Sequence, residues 1–323
     1  MSMIYEREER PLKEVYSDLL VEYGRKDPRI VIVEADLMKS GSTDKFQQEF
    51  PDRTFDVGVA EANMICVAAG LSLMGKIPFT HTFAVFASRR CCDQINQSVA
   101  YAGCNVKMCG SDPGITTELN GGTHMAMDDV GIMRSIPEMT IFEPVDSRQL
   151  RAVFPQILNL ETPVYIRLFR PNATRIFTGE ETDFRLGKGI VLREGSDVTI
   201  LSSGIMVAEA LKAAELLEKQ QIQAEIINIH TIKPLDTRLI IESAAKTGCV
   251  VTAENGSIYN GLGSAAAECP AEHLPRPMKR IGVQDCFGQI GHLEELLNAF
   301  HMAAEDIAAA AAELVRNKEK GGL

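Results

Sequence analysis

Glu61 is the residue whose setting is most readily read as chemistry. It lies in Asp56-Val57-Gly58-Val59-Ala60-Glu61-Ala62-Asn63-Met64, ahead of a run of small and apolar residues that ends near Gly75. Met64, Val67, Ala68, Leu71 and Met74 recur near helical spacing, so a buried helix is predicted to open close to Glu61. Two roles fit that position. A carboxylate at a helix start sits well on the helix dipole and needs no further purpose. A carboxylate held in a mostly dry place can instead share a proton with a bound group. Phe83 and Phe86, three apart, are either core or a flat apolar wall for a ring. His124 ends a Gly121-Gly122-Thr123-His124 turn, whose glycines let backbone approach a ligand.

Other chemistries find no support in the spacing. Neither Gly-x-Gly-x-x-Gly nor Gly-x-x-x-x-Gly-Lys-Ser/Thr occurs after the first strands. Gly261-Leu262-Gly263 opens a helix, but late in the chain, and reads as close packing. There is no Gly-x-Ser-x-Gly elbow. The eight cysteines show no Cys-x-x-Cys pair and the six histidines are scattered, which argues against a zinc site or a secreted disulfide framework. Buried free thiols in a reducing cytoplasm are expected.

The elements that must position these side chains come from alternating patterns. A chain of 323 residues has room for about two domains. Its net charge of −11 argues against a nucleic-acid surface, because no basic patch offsets the acidic balance. No apolar run is long enough to cross a membrane, and the charge-dense first residues do not read as a signal peptide. An amphipathic helix is predicted over 10–23 and a buried strand over 30–33. Further strands are expected at 77–83, 106–110, 139–144 and 164–168, with helices over 84–100, 129–135 and 147–158. A long glycine-punctuated loop covers 111–127. After a looser stretch, strands at 198–201, 224–229, 249–252 and 280–283 alternate with helices at 207–220, 236–247, 261–269, 292–299 and 304–316. The tail, 317–323, is polar and expected to fray. The predicted fold class is α/β: two doubly wound domains, 1–185 and 186–323, built on mostly parallel sheets.

At this point the ordered motifs resemble a known family. The segment from Asp56 to Glu61, His81-Thr82-Phe83-Ala84-Val85-Phe86, Asn120-Gly121-Gly122-Thr123-His124, Ser135-Ile136-Pro137-Glu138-Met139 and Val164 to Arg170 is similar to the pyrimidine-binding domain of transketolase. His230-Thr231-Ile232-Lys233-Pro234-Leu235-Asp236, Glu254-Asn255 and Gly261-Leu262-Gly263 resemble the family's C-terminal domain. The resemblance covers nearly the whole chain. No Gly-Asp-Gly occurs, the motif with which the family's N-terminal domain holds the cofactor diphosphate and its metal. The chain therefore resembles the C-terminal subunit of a split transketolase.

The resemblance implies the rest of the expectations. Thiamine diphosphate would be shared with a separate N-terminal subunit. That partner would bind most of Mg2+ or another divalent metal, leaving no metal ligand here. Glu61 would activate the cofactor through the pyrimidine N1′, with Phe83, Phe86 and Arg90 also binding it. Arg90 resembles an arginine of 1-deoxyxylulose-5-phosphate synthase. His124 would act in catalysis and in substrate binding, together with Asn120, Ser111 and Arg170. Asn120 and Ser111 replace the family's more usual aspartate and histidine, and Glu34 stands where a small residue is common, so that its carboxylate would repel a phosphate. The reaction implied is transfer of a two-carbon ketol unit from a ketose or its phosphate to an aldose. Self-association through the pyrimidine domain, with two N-terminal partners, would give a cytoplasmic heterotetramer. The alternatives are a 1-deoxyxylulose-5-phosphate synthase-like condensation, a 2-oxo-acid dehydrogenase beta subunit, and a non-catalytic assembly partner of the same fold.

Overall fold

The computed structural model describes residues 6–179 and 183–320. Short β-branched runs bounded by turn residues become strands buried on both faces, the signature of a parallel sheet covered by helices. β1 (Ile30–Glu34), β2 (Thr54–Asp56), β3 (Ile77–Phe83), β4 (Lys107–Ser111), β5 (Thr140–Phe142) and β6 (Val164–Leu168) pair in parallel. The second sheet holds β7 (Ile190–Arg193), β8 (Val198–Ser202), β9 (Ala224–Asn228), β11 (Val250–Ser257) and β12 (Met278–Val283), in the order β12-β11-β8-β9-β7. Only β7 runs antiparallel there.

β10 (Thr231–Lys233) crosses between the two halves. It follows β9 in the chain yet joins the first sheet, antiparallel to β5, giving the order β10-β5-β6-β4-β3-β1-β2. Neither β7 nor β10 is legible in the sequence, since each is a short edge strand whose pairing is decided by its neighbour. The halves also share a core. One apolar cluster runs from Leu12, Phe79 and Phe154 through Phe169 and Phe177 to Val198, Met206 and Ala304. At the same boundary the buried Arg167 of β6 donates to Asp129, to Glu143 and to the Asn255 carbonyl of β11. Burial opposes its charge, but Asp129 and Glu143 hold the guanidinium pKa above its ordinary value.

Several expected elements change. The predicted helix over 84–100 is three pieces: Ala84–Ser88, a turn at Cys92–Gln94, and a π-helical segment Ile95–Tyr101. The break falls where Arg89 turns to Asp128 and Arg90 to Glu61. The loop over 111–127 contains a 3-10 stretch, Gly114–Asn120. The last helix continues to Glu319, so fraying from 317 is not seen, and 321–323 lie outside the described residues. All eight cysteines are unpaired, but Cys66 and Cys286 are exposed rather than buried. No described helix is long and apolar enough to cross a membrane.

Candidate functional site

Four parallel strands deliver the candidate residues to one edge. In open α/β sheets ligands collect beyond the carboxyl ends of the strands. β2 leads through 57–60 into the helix Glu61–Leu73, whose first residue is Glu61. β3 ends on Phe83, and Phe86 lies one turn into the helix Ala84–Ser88. β4 ends on Ser111, and β6 leads to Arg170.

Glu61 is 3% exposed. Arg90 Nη1 donates to its Oε1 at 2.8 Å and to its Oε2 at 2.9 Å. The same guanidinium lies over Phe86, 4.1 Å from the ring centroid. A flat, N–H-bearing cation thus satisfies the Glu61 carboxylate and an aromatic face together. That is the pairing an aminopyrimidine requires, so these side chains fit such a ring. His124 meets both phenylalanines edge-on, with centroids 5.4 Å from Phe86 and 6.0 Å from Phe83. Its Nδ1 lies 3.0 Å from Thr123 Oγ1. Arg170 lies 5.8 Å from the Phe83 centroid and donates to Asn120 Oδ1 at 2.7 Å, the Thr117 carbonyl at 3.1 Å and Asp112 Oδ2 at 3.1 Å. Glu61, Arg90, Phe86, His124, Phe83, Arg170 and Asn120 therefore form one contact chain.

Two expected residues stand apart from it. Ser111 is buried in the sheet, in register with Phe83 and Leu168. Its neighbour Asp112, which has no place among the sequence-predicted site residues, supplies the carboxylate that meets Arg170. Glu34 is enclosed within the fold. It is 0% exposed, accepts from Thr43 Oγ1 at 2.5 Å and lies 3.4 Å from His81 Nδ1. The cause is local: Gly41 seals this pair, and a Cβ there would overlap the His81 ring. Burial and the nearby Glu61 charge push the thiol of Cys91, beside Arg90, up to about 12, away from the reactive thiolate form. Among the described residues, no three His, Cys, Asp or Glu side chains gather as metal ligands. The Gly261–Gly263 turn is close packing, as its sequence reads: Glu254 accepts from Leu262 N and Gly263 N, and a Cβ at Gly261 would strike that carboxylate.

The family models for the transketolase pyrimidine-binding domain and the transketolase C-terminal domain match residues 8–175 and 187–307. The chain belongs to the transketolase family. It is 61% identical, over 96% of both chains, to the 6-deoxy-6-sulfo-D-fructose transketolase subunit SqwH of Clostridium sp. (strain MSTE9). It is 32% identical to one subunit of the apulose-4-phosphate transketolase of Phocaeicola vulgatus, over 93% of this chain and 96% of that one. A solved structure described as a split gene transketolase, inactive beta4 tetramer, superposes with a TM-score of 0.86 at 42% identity, covering 95% of this chain and 98% of that one. A 1-deoxy-D-xylulose-5-phosphate synthase of Heliobacterium modesticaldum is 35% identical, and this chain spans 46% of its length.

Proposed function

We propose that this chain is the pyrimidine-domain subunit of a split transketolase, which moves a two-carbon ketol unit from a ketose with a terminal anion to an aldose. The observation that carries the reading is the buried Glu61 carboxylate beside the Phe86 ring, with one planar N–H cation satisfying both. When bound, thiamine diphosphate supplies the electron-accepting ring chemistry that protein side chains lack. Glu61 holds the proton balance at the pyrimidine N1′, and Phe83 and Phe86 wall the ring. The Arg90 guanidinium, which lies over Phe86 and on both Glu61 oxygens, yields that place to the ring and then borders it. His124, edge-on to both rings, faces the reacting end of the sugar. Asn120 and Arg170 take its far end, with Ser111 at the end of β4 supporting β6, the strand that leads to Arg170. Two of the five N–H donors of Arg170 make no bond to the described residues, which suits a phosphate or sulfonate. The name of the 61% identical relative points to a sulfonated donor.

The diphosphate and its divalent ion fall to a separate N-terminal subunit in this reading. Val59, Leu73 and Met74, all largely exposed on or beside the Glu61 helix, are apolar surface suited to a partner or a second copy. A heterotetramer, in which this chain's two domains meet at about residue 185, working in the cytoplasm where its unpaired cysteines stay reduced, completes the proposal.

Calorimetry tests the division of labour. The isolated chain is expected to bind thiamine diphosphate and Mg2+ weakly, and the assembled enzyme tightly. Tight metal-dependent binding by this chain alone would refute it. The synthase relatives favour a second reading, a condensation with pyruvate. Formation of 1-deoxyxylulose 5-phosphate by the assembled enzyme, without ketol transfer, would establish that reading instead.

A further inference from the structure

We infer that Asn255, a residue of the second domain, is a positioning residue for the loop 112–124 of the first, and that it sets how strongly Arg170 holds the donor's terminal anion. The inference rests on the proposed role of Arg170. Among the described residues, the hydrogen bonds of Glu61 and the ring contacts of Phe86 stay within the first domain, yet the loop that serves Arg170 is held from the second domain at several points.

The loop needs holding. Asp112 and Glu118 adopt φ of 55° and 52°, left-handed values that cost energy in any residue but glycine. Such a conformation persists only where surrounding contacts over-determine it. Asn255 is completely buried. Its Nδ2 donates to the Pro113 carbonyl at 3.0 Å, and its Oδ1 accepts from Ile115 N at 2.9 Å. The amide orientation is forced, since a carbonyl can only accept and a backbone N–H can only donate. Gly114 lies between these two contacts, and a Cβ there would overlap Asn255 Oδ1.

Asn255 is itself fixed. It sits where β11 loses register with β12, between Ala253 and Ser257, and its carbonyl accepts from Arg167 Nη2 at 2.5 Å. The far part of the loop is fastened too. Glu118 Oε1 accepts from Leu293 N at 2.8 Å, and Gly122 lies against the Gly288 carbonyl. Between these anchors the loop presents Asp112 Oδ2, the Thr117 carbonyl and Asn120 Oδ1 to one guanidinium. Release of Asn255 would leave Ile115 N buried and unpaired, and would let all three acceptors of Arg170 shift.

Asn255→Asp is the sharp test, because it keeps shape and sets a carboxylate oxygen against the Pro113 carbonyl. The enzyme assembled with its N-terminal partner is assayed with 6-phosphorylated and 6-sulfonated fructose and with L-erythrulose, which has no terminal anion. The KM for the anionic donors is expected to rise about tenfold, the order of one misplaced buried hydrogen bond, with kcat and the erythrulose KM within about twofold. Hydrogen exchange over 112–124 is expected to quicken in the same variant. If Asn255→Asp fails to assemble, Asn255→Ser carries the same expectations. Equal losses for all three ketoses would mean general structural damage and overturn the inference. A raised KM in Arg170→Gln beside an unchanged KM in the Asn255 variants would overturn the positioning role alone. An unchanged KM in Arg170→Gln would overturn both this inference and the Arg170 reading beneath it.

Discussion

Glu61→Gln keeps the side chain's shape and removes its charge, so it separates the two roles a helix-start carboxylate can have. In the folded chain the amide offers one acceptor where the carboxylate offered two to Arg90 Nη1. Breaking a fully buried ion pair costs about 3–5 kcal/mol. Arg90 is 49% exposed, so water screens its side of the pair and the expected cost falls to about 1–2 kcal/mol. With about 2.1 cal/mol/K of unfolding entropy per residue, a chain of 323 residues loses about 1.5 °C of Tm per kcal/mol, so the melting midpoint should drop by about 1.5–3 °C. In the assembled enzyme the effect should be far larger, about 10²–10⁴-fold in kcat, the usual worth of a positioned acid–base group. The assay is steady-state ketol transfer by the reconstituted enzyme, beside melting curves for Glu61→Gln, Arg90→Ala and the double variant. The double variant should melt close to Arg90→Ala, because that change has already left Glu61 without its cation. Undiminished turnover in Glu61→Gln would leave the residue a helix-start carboxylate and nothing more. A coupling energy under about 0.5 kcal/mol between the two sites would show that the Arg90 pair is not made in solution.

Arg170→Gln should raise the KM for an anion-terminated ketose by about 10–100-fold, the worth of a charge-assisted bond, while erythrulose kinetics hold steady; equal effects on both would place Arg170 outside the anion site. Arg167→Met should destabilise the chain by about 3–5 kcal/mol, since it strands Asp129 and Glu143 in the boundary between domains; an unchanged midpoint in chemical denaturation would refute that. Burial raises Glu254 from its ordinary 4.5 to about 7, against the lowering pull of Gly263 N and Leu262 N. A raised carboxyl pKa means that the folded state holds a proton the unfolded chain has shed. This contribution is therefore full at low pH and is lost as pH rises from about 4.5 through about 7, by at most about 3 kcal/mol. Glu254→Gln should flatten that part of the stability profile, and parallel profiles for the two proteins would contradict it.

Much of the site is legible in the order of residues along the chain. Glu61 opens its helix because a buried apolar run starts directly after it, and a run of that kind declares itself in sequence. Phe83, Phe86 and His124 converge as their order in the chain suggests. Glu34 is legible as a residue type but not as a location, because whether a strand's last side chain faces a crevice depends on the turn that folds over it. Asp112 carries a signal, a carboxylate followed by Pro113 and Gly114 in a glycine-punctuated loop. Its partner Arg170 lies 58 residues away, and local pattern does not span that distance.

What the sequence determined by itself is local: strand and helix periods, the absence of nucleotide, metal and hydrolase motifs, and the order of the chemistry-bearing residues. What the tertiary structure alone decided is which domain holds which. β10 crosses to the first sheet, Arg167 bridges to β11, and Asn255 grips a loop 140 residues earlier. The last two contacts are made by single polar groups meeting across a boundary. They leave no periodic trace, because a hydrogen bond needs one donor and one acceptor in place rather than a repeating face.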